Sequence, residues 1–221
     1  MPLITTAPYH FLDTSSAANT KLLMHFDGVN NGTSFIDECG AIPTSATNLK
    51  TSTSQFKFGG ASLRADSGKL VMSTTVSLSG DFTFEMWVMF DSVATQQFFF
   101  DARQNGTGDA PVIYWNGTAF AFIFNNSIIA NTAGGGNVAT ANTWVNVAMS
   151  RQNGTVSCFV NGARVGQMVR TVATSTQAIT IAAAGTTTQN FPFKGYMDEI
   201  RICEVGLYSS NYTPAVSPFT L

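Results

Sequence analysis

Residues 142–167 read NTWVNVAMSRQNGTVSCFVNGARVGQ, and two Asn-Gly pairs, Asn153-Gly154 and Asn161-Gly162, cut the stretch into three apolar-rich runs of strand length. Asn and Gly both tolerate the positive φ that a two-residue hairpin turn requires. The stretch therefore predicts a three-strand meander over 144–151, 155–160 and 163–168. The same punctuation lies upstream in YWNGTAFAFIF (114–124), where Asn116-Gly117 separates runs over 111–115 and 119–124. A further run, DFTFEMWVMF (81–90), alternates strictly and puts Phe82, Phe84, Met86, Val88 and Phe90 on one face. Its other face carries Thr83, Glu85, Trp87 and Met89 and is itself partly apolar. Such a strand is covered on both sides, or it lines a concave surface.

Outward from these runs, strand signals recur over 21–27, after Gly59-Gly60 in ASLRA, and over 69–72, 98–101, 179–183 and 194–203. Beyond about two turns, no segment keeps apolar residues at helical spacing. About 12 to 14 short strands, separated by turns and without intervening helices, predict an all-β chain folded as a two-sheet antiparallel sandwich. No linker interrupts the middle, so residues 21–221 are expected to form one domain. Residues 1–20 are polar, hold two prolines and lack alternation. They form either an arm reaching over a neighbour or the first edge of the domain.

Composition narrows the functions. Charged residues are 11% of the 221, against about 25% in an average protein. Thr, Ser, Asn and Gly replace them, residues that suit strand faces and turns. Eighteen Phe exclude disorder. The net charge is −2 and Lys and Arg are scattered singly. Nucleic acid is therefore not an expected partner, because phosphate tracking needs a positive stripe. Electrostatic docking to anionic membranes is disfavoured for the same reason. No run is long and apolar enough for a membrane helix, and the start MPLITTAPYHFLDT lacks the pattern of a signal peptide. Cys39, Cys158 and Cys203 show no CxxC spacing and read as reduced thiols. Six Asn-x-Ser/Thr triplets read as turn chemistry.

Four stretches, in order, resemble the laminin-G-like, concanavalin A-like jelly-roll domains. They are KLLMHFDGVNNGTSFIDECG (21–40), FGGASLRADSGKLVMS (58–73) with LSGDFTFEMWVMFD (78–91), the meander, and KGYMDEIRICEVGLYSSNYTP (194–214). The resemblance implies two curved antiparallel sheets stacked face to face, in a family of binding and assembly modules, often for glycans or proteins. The form that opens LLMHFDG (22–28) and closes YSSNYTPAVSPF (208–219) is similar to domains of bacteriophage structural proteins. That likeness implies a virion component, made in the bacterial cytoplasm, which assembles with other virion proteins and with itself as a symmetric homo-oligomer. A host-receptor lectin is the alternative, and a glycoside hydrolase or lyase the second alternative. The family often carries a structural calcium ion tying first strand to last. The resemblance maps it onto Asp27, the Gly28 carbonyl and Asp198, with Asp37 nearby. On the residues alone, Asp27 equally caps a turn and Asp198 equally pairs with Arg201 or Lys194.

Catalysis of glycoside hydrolysis needs two carboxylates about 5–10 Å apart, which on a strand means residues two apart, at roughly 7 Å. Run 81–91 offers Glu85 alone: Asp81 is four residues earlier and Asp91 six later, so neither stands two residues away. Neither His10 nor His25 lies beside a recognisable nucleophile. The chain is therefore expected not to be an enzyme. A glycan platform instead uses exposed aromatic rings, which cover the apolar face of a sugar. Trp115, beside Asn116-Gly117, and its neighbour Tyr114 are the candidates at a hairpin tip, with Asn116, Asn125 and Asn126 as amide partners for hydroxyls. Trp87 and Trp144, inside strands, are expected in the core, and Arg201 is expected to bridge carboxylates within the domain.

Overall fold

The computed structural model describes residues 18–103, 110–124, 126–131, 139–170, 174–185 and 190–221, with side chains at 74, 75, 131 and 174–177 excepted. The described residues form thirteen strands: β1 Thr20–Met24, β2 Pro43–Ser52, β3 Ser62–Leu78, β4 Phe82–Phe90, β5 Gln96–Asp101, β6 Val112–Asn116, β7 Phe120–Phe124, β8 Ser127–Asn131, β9 Trp144–Gln152, β10 Thr155–Val160, β11 Ala163–Val169, β12 Thr174–Ile181 and β13 Lys194–Cys203. All pairings are antiparallel and run β11-β10-β9-β4-β13-β3-β12-β5-β6-β7-β8, with β1 on β13 and β2 on β3. The seam is β3. Its first residues, Leu63–Asp66, bond to β13, and Leu70–Leu78 bond to β12, so one strand belongs to both layers.

The two layers meet through the alternating Phe residues of β4. Phe84 packs on Phe100 with ring centroids 4.6 Å apart, and Phe82 on Phe124 at 5.4 Å. Phe90 touches Phe99, Phe120, Phe193 and Trp115 at 5.4–6.1 Å, mostly edge to face. These offset geometries suit ring quadrupoles.

The outer face of β4 is covered rather than concave. The segment after β13 crosses it: Leu207 N–H donates to Thr83 Oγ1 at 2.9 Å, and Tyr208 hydroxyl to Glu85 Oε2 at 2.9 Å. The Tyr212 hydroxyl donates to Asn146 Oδ1 at 2.6 Å, and the Tyr208 and Tyr212 rings stack at 3.7 Å. Trp87 lies under the Lys57 ammonium, 3.9 Å from its ring, and against Phe58.

The meander matches its expected bounds, and Asn153 and Asn161 take φ of 50° with Gly154 and Gly162 at 80° and 76°. At the third pair only Gly117 has positive φ, 101°; Asn116 stays in β6 and its side chain accepts the N–H groups of Thr118 and Ala119 at 2.9 and 2.8 Å. Three departures have physical causes. Strand β2 is polar and largely exposed, an edge held by backbone pairing to β3, so no apolar pattern announces it. The runs at 61–65 and 69–72 are parts of one long β3. Strand β1 ends at Met24 instead of running to 27, because Phe26 turns the chain at φ 60°. Strand β8 carried no expectation. Of the expected N-terminal segment 1–20, residues 1–17 lie outside the described residues, while Thr20 already pairs with Cys203 in β1. The three cysteines are free thiols.

Candidate functional site

Alternation along β6 separates the two rings expected at the hairpin. Trp115 points inward: it is 2% exposed, packs on Phe90 and Phe120, and its indole N–H donates to the Val93 carbonyl at 2.8 Å. The expectation of an exposed Trp115 is thus corrected; adjacent residues of a strand face opposite sides. Asn116 spends its amide oxygen inside its own turn. Asn126 is exposed at the β7–β8 turn with φ 52°, and Asn125 lies outside the described residues. Trp87 is buried as expected but on the outer face, and Trp144 is half-buried.

Tyr114 points outward and remains half-buried. Its ring stacks on Phe98 of β5 at 4.6 Å and 16°, and Phe98 stacks on Phe191 at 5.6 Å and 19°. The three rings form a ladder across the outer face of the second layer, with Val112, Ile123 and Ala184 beside it. At one end Arg103 grips Asp101 through Nε and Nη2 at 3.0 and 2.9 Å, and Asp101 also accepts the Gly185 N–H at 3.0 Å. Burial pushes the Tyr114 phenol up, partly opposed by the charge of Arg103.

The other end of the ladder opens into a cleft of about 310 Å³, lined by residues including Asp91, Gln96, Gln97, Phe191, Pro192 and Lys194. That volume falls at the lower end of the roughly 300–1,000 Å³ of small-ligand sites. The cleft is braced from within. Gln97 donates to the Ser92 carbonyl at 2.7 Å and accepts the Lys194 N–H at 3.0 Å. The Asp91 N–H donates to the Lys194 carbonyl at 3.1 Å, and the Phe98 N–H to the Phe191 carbonyl at 3.0 Å. Phe191 itself sits at φ 33°, a conformation that a bulky residue adopts only when its surroundings enforce it. Sequence reading missed Phe98, Phe191 and Lys194 because they meet only where the turn from β12 into β13 bonds to β5.

The calcium candidates meet at another place, the loop 57–61. Asp198 is fully buried in β13 and accepts the N–H groups of Lys57 and Phe58 at 2.7 and 3.2 Å, and of Glu199 at 2.9 Å. Asp27 accepts the Ala61 N–H at 3.3 Å, and its carboxylate lies against Gly59, where any Cβ would come within 1.9 Å. Asp198 has no salt bridge among the described residues; neither Arg201 nor Lys194 pairs with it. Burial pushes its carboxyl up to about 7 and raises that of Asp27. A buried carboxylate, Asp198, and an exposed one, Asp27, neither ion-paired to a Lys or Arg among the described residues, are hard-oxygen donors of the kind calcium takes. No group of three or more Asp, Glu, His or Cys gathers there among the described residues, so backbone carbonyls such as that of Gly28 would complete the set. Asp37 serves elsewhere, accepting the N–H groups of Leu23, Cys39 and Ala41 at 2.7, 3.2 and 2.8 Å.

Glu85, the lone candidate carboxylate of β4, is buried and bound by Arg201 Nε at 2.7 Å, by Arg201 Nη2 and by the Tyr208 hydroxyl. The expected role of Arg201 as an internal bridge is realised on this residue.

Comparison with known proteins adds the following. A family model described as the concanavalin A-like lectin/glucanases superfamily matches residues 63–209, about two thirds of the chain. No curated protein matches the sequence. The binding domain of botulinum neurotoxin serotype D superposes with a TM-score of 0.63 at 10% identity, covering 88% of this chain and 50% of that one. Domain 4 of AbnA, an extracellular arabinanase from Geobacillus stearothermophilus solved with arabinotriose, gives 0.61 at 17% identity, covering 87% and 95%. A structure of botulinum neurotoxin type C, described as dependent on two ganglioside molecules for entering cells, gives 0.61 at 14% identity, covering 86% and 49%. The chain spans about half the length of the neurotoxin chains it matches. At these identities the likeness establishes the fold.

Proposed function

Because the chain belongs to the concanavalin A-like lectin/glucanase superfamily, we propose that it is a non-enzymatic, glycan-recognising structural protein of a bacteriophage virion. One observation carries the glycan part: the Tyr114–Phe98–Phe191 ladder ends in a braced cleft with amide and charged groups at its rim. A flat ring covers the apolar face of a pyranose while polar neighbours take its hydroxyls. The neighbour solved with arabinotriose lends the reading support by analogy of fold. A glycan array of bacterial surface polysaccharides tests it. Wild-type protein should bind, and Phe191→Ala should weaken binding by about fivefold or more at an unchanged melting temperature. Undiminished binding by Phe191→Ala would remove the cleft as the site.

The virion part rests on the sequence form of 22–28 and 208–219. In this reading the protein assembles with itself and with other virion proteins, decorating a capsid or forming part of a tail or fibre. Imaging of assembled particles labelled on this chain checks it; absence of the chain from purified particles overturns it. A carbohydrate-binding lectin module acting in host-receptor recognition is the alternative.

The proposal includes one structural calcium ion held by Asp27, the Gly28 carbonyl and Asp198. When bound, it supplies positive charge to two carboxylates that burial otherwise disfavours as ions. Without a cation, the raised carboxyl of Asp198 sets a sign for stability. Its contribution is complete below the unfolded value of about 4 and is lost as pH rises through about 7. In chelator, the melting temperature should therefore fall across that window, and Asp198→Asn should flatten the fall. Added calcium should raise the melting temperature at pH 7 by mass action; identical melts with calcium and with chelator would eliminate the ion.

A further inference from the structure

An Asn-Gly pair offers little steric resistance to one reaction of the chain with itself. The glycine nitrogen can attack the side-chain carbonyl carbon of the asparagine, because glycine has no Cβ to block the approach. Four such pairs lie among the described residues, at Asn31, Asn116, Asn153 and Asn161, and Asn105-Gly106 lies outside them. All four lie in turns, yet the fold does not hold them alike.

Three are tied at a reacting group. At Asn31 the attacking nitrogen is engaged, since the Gly32 N–H donates to the Val29 carbonyl at 2.8 Å. At Asn116 the side-chain carbonyl is engaged, with Oδ1 accepting the N–H groups of Thr118 and Ala119 at 2.9 and 2.8 Å and the Thr118 hydroxyl at 3.0 Å. At Asn161, Oδ1 accepts the Asn146 N–H at 3.0 Å. The tail also lies over that turn, where the Tyr212 N–H donates to the Gly162 carbonyl at 2.9 Å.

Asn153-Gly154, between β9 and β10, has neither tie. Asn153 is exposed, and neither its side-chain amide nor the Gly154 N–H has a hydrogen-bond partner among the described residues. The bonds this turn does make use atoms that do not react. The Asn153 N–H donates to Asp81 Oδ2 at 3.1 Å, and the Gly154 carbonyl accepts the Arg170 N–H at 2.7 Å. Nitrogen and carbon meet only when the turn leaves its left-handed conformation, φ 50° at Asn153. Such local opening costs least where no side chain or nucleophile must first be released.

We propose that Asn153 is a self-modification site of the folded protein, converting to aspartate and isoaspartate through a cyclic imide. Water is the sole co-reactant. The Gly154 nitrogen bonds to Asn153 Cγ and gives up its proton, and the side-chain nitrogen leaves as ammonia. Water then opens the ring at either carbonyl, giving aspartate or an isoaspartate whose main chain is longer by one carbon. One neutral amide becomes one carboxylate, so the net charge passes from −2 to −3. The new carboxylate stands beside Asp81, and the longer main chain strains a turn that pairs Gln152 with Thr155.

The experiment ages the folded protein in mildly alkaline buffer and follows each pair by peptide mapping with fragmentation in the mass spectrometer. Asn153 should exchange ammonia for water on the order of tenfold faster than Asn31, Asn116 or Asn161, the factor for one hydrogen bond broken first. In urea, where the fold no longer distinguishes them, the four should convert at similar rates. Asn153→Ser should remove the converted species at this turn while leaving the other three rates unchanged. Equal rates at the four pairs in the folded protein, or a faster rate at any of the other three, overturn the inference. So does a folded protein that keeps Asn153 intact while the urea-treated chain converts it.

Discussion

Phe90→Ala should lower unfolding free energy by about 3–5 kcal/mol, the range for removing a buried ring whose cavity cannot collapse. Collapse is resisted from both layers. Phe90 is fully buried, and its ring contacts Phe99 and Phe120 in the second layer and Phe193 at the entry to β13. Trp115 completes the set at 5.7 Å, so its emission reports directly on the site. Denaturant titration followed by tryptophan fluorescence gives the number. Phe90→Leu should recover part of the loss, since it refills some of the volume. A loss under about 1 kcal/mol for the alanine would mean that the layers do not meet at this residue.

The second large effect is electrostatic. Glu85→Ala should cost about 3–5 kcal/mol, because it strands a buried guanidinium. The Arg201 side chain is 12% exposed and lies 4.3 Å from the Phe219 ring, so water cannot readily replace the lost carboxylate. The Tyr208 hydroxyl loses its acceptor in the same step. Replacing both partners, with Glu85→Met and Arg201→Met together, should restore most of the stability, since an apolar pair of similar volume avoids the desolvation of two ions. A double variant as unstable as the single one would show that the pair does more than satisfy itself. Glycan binding should survive in the double variant, because the ladder lies on the opposite layer. Loss of binding at full stability would separate the site from the ladder.

What the sequence disclosed follows from which forces act locally. The meander was legible to within a residue or so because Asn-Gly turns and alternating apolar residues are short-range signals. The core strand β4 was legible for the same reason. Strand β2 was not, since its stability comes from backbone pairing with β3 rather than from an apolar face. At the hairpin, Tyr114 faces outward, whereas Trp115, its neighbour in sequence, faces inward, because strand alternation sets the two on opposite faces. Phe98, Phe191 and Lys194 come from positions up to 96 residues apart on the chain. Their union depends on β12 and β13 pairing where they do, which no local pattern announces. Asp27 and Asp198 both accept N–H groups of the loop 57–61, partners that only coordinates reveal.

The long strand β3 has a mechanical meaning. A sandwich whose layers touch only through side chains can yield by sliding one sheet over the other. Here a single strand is hydrogen-bonded into both, at Leu63–Asp66 on one side and Leu70–Leu78 on the other. Shear between the layers must therefore break backbone bonds along a seam, not merely disengage rings. The two halves of the domain are tied to yield together, and a load placed on the outer face of either is carried by both.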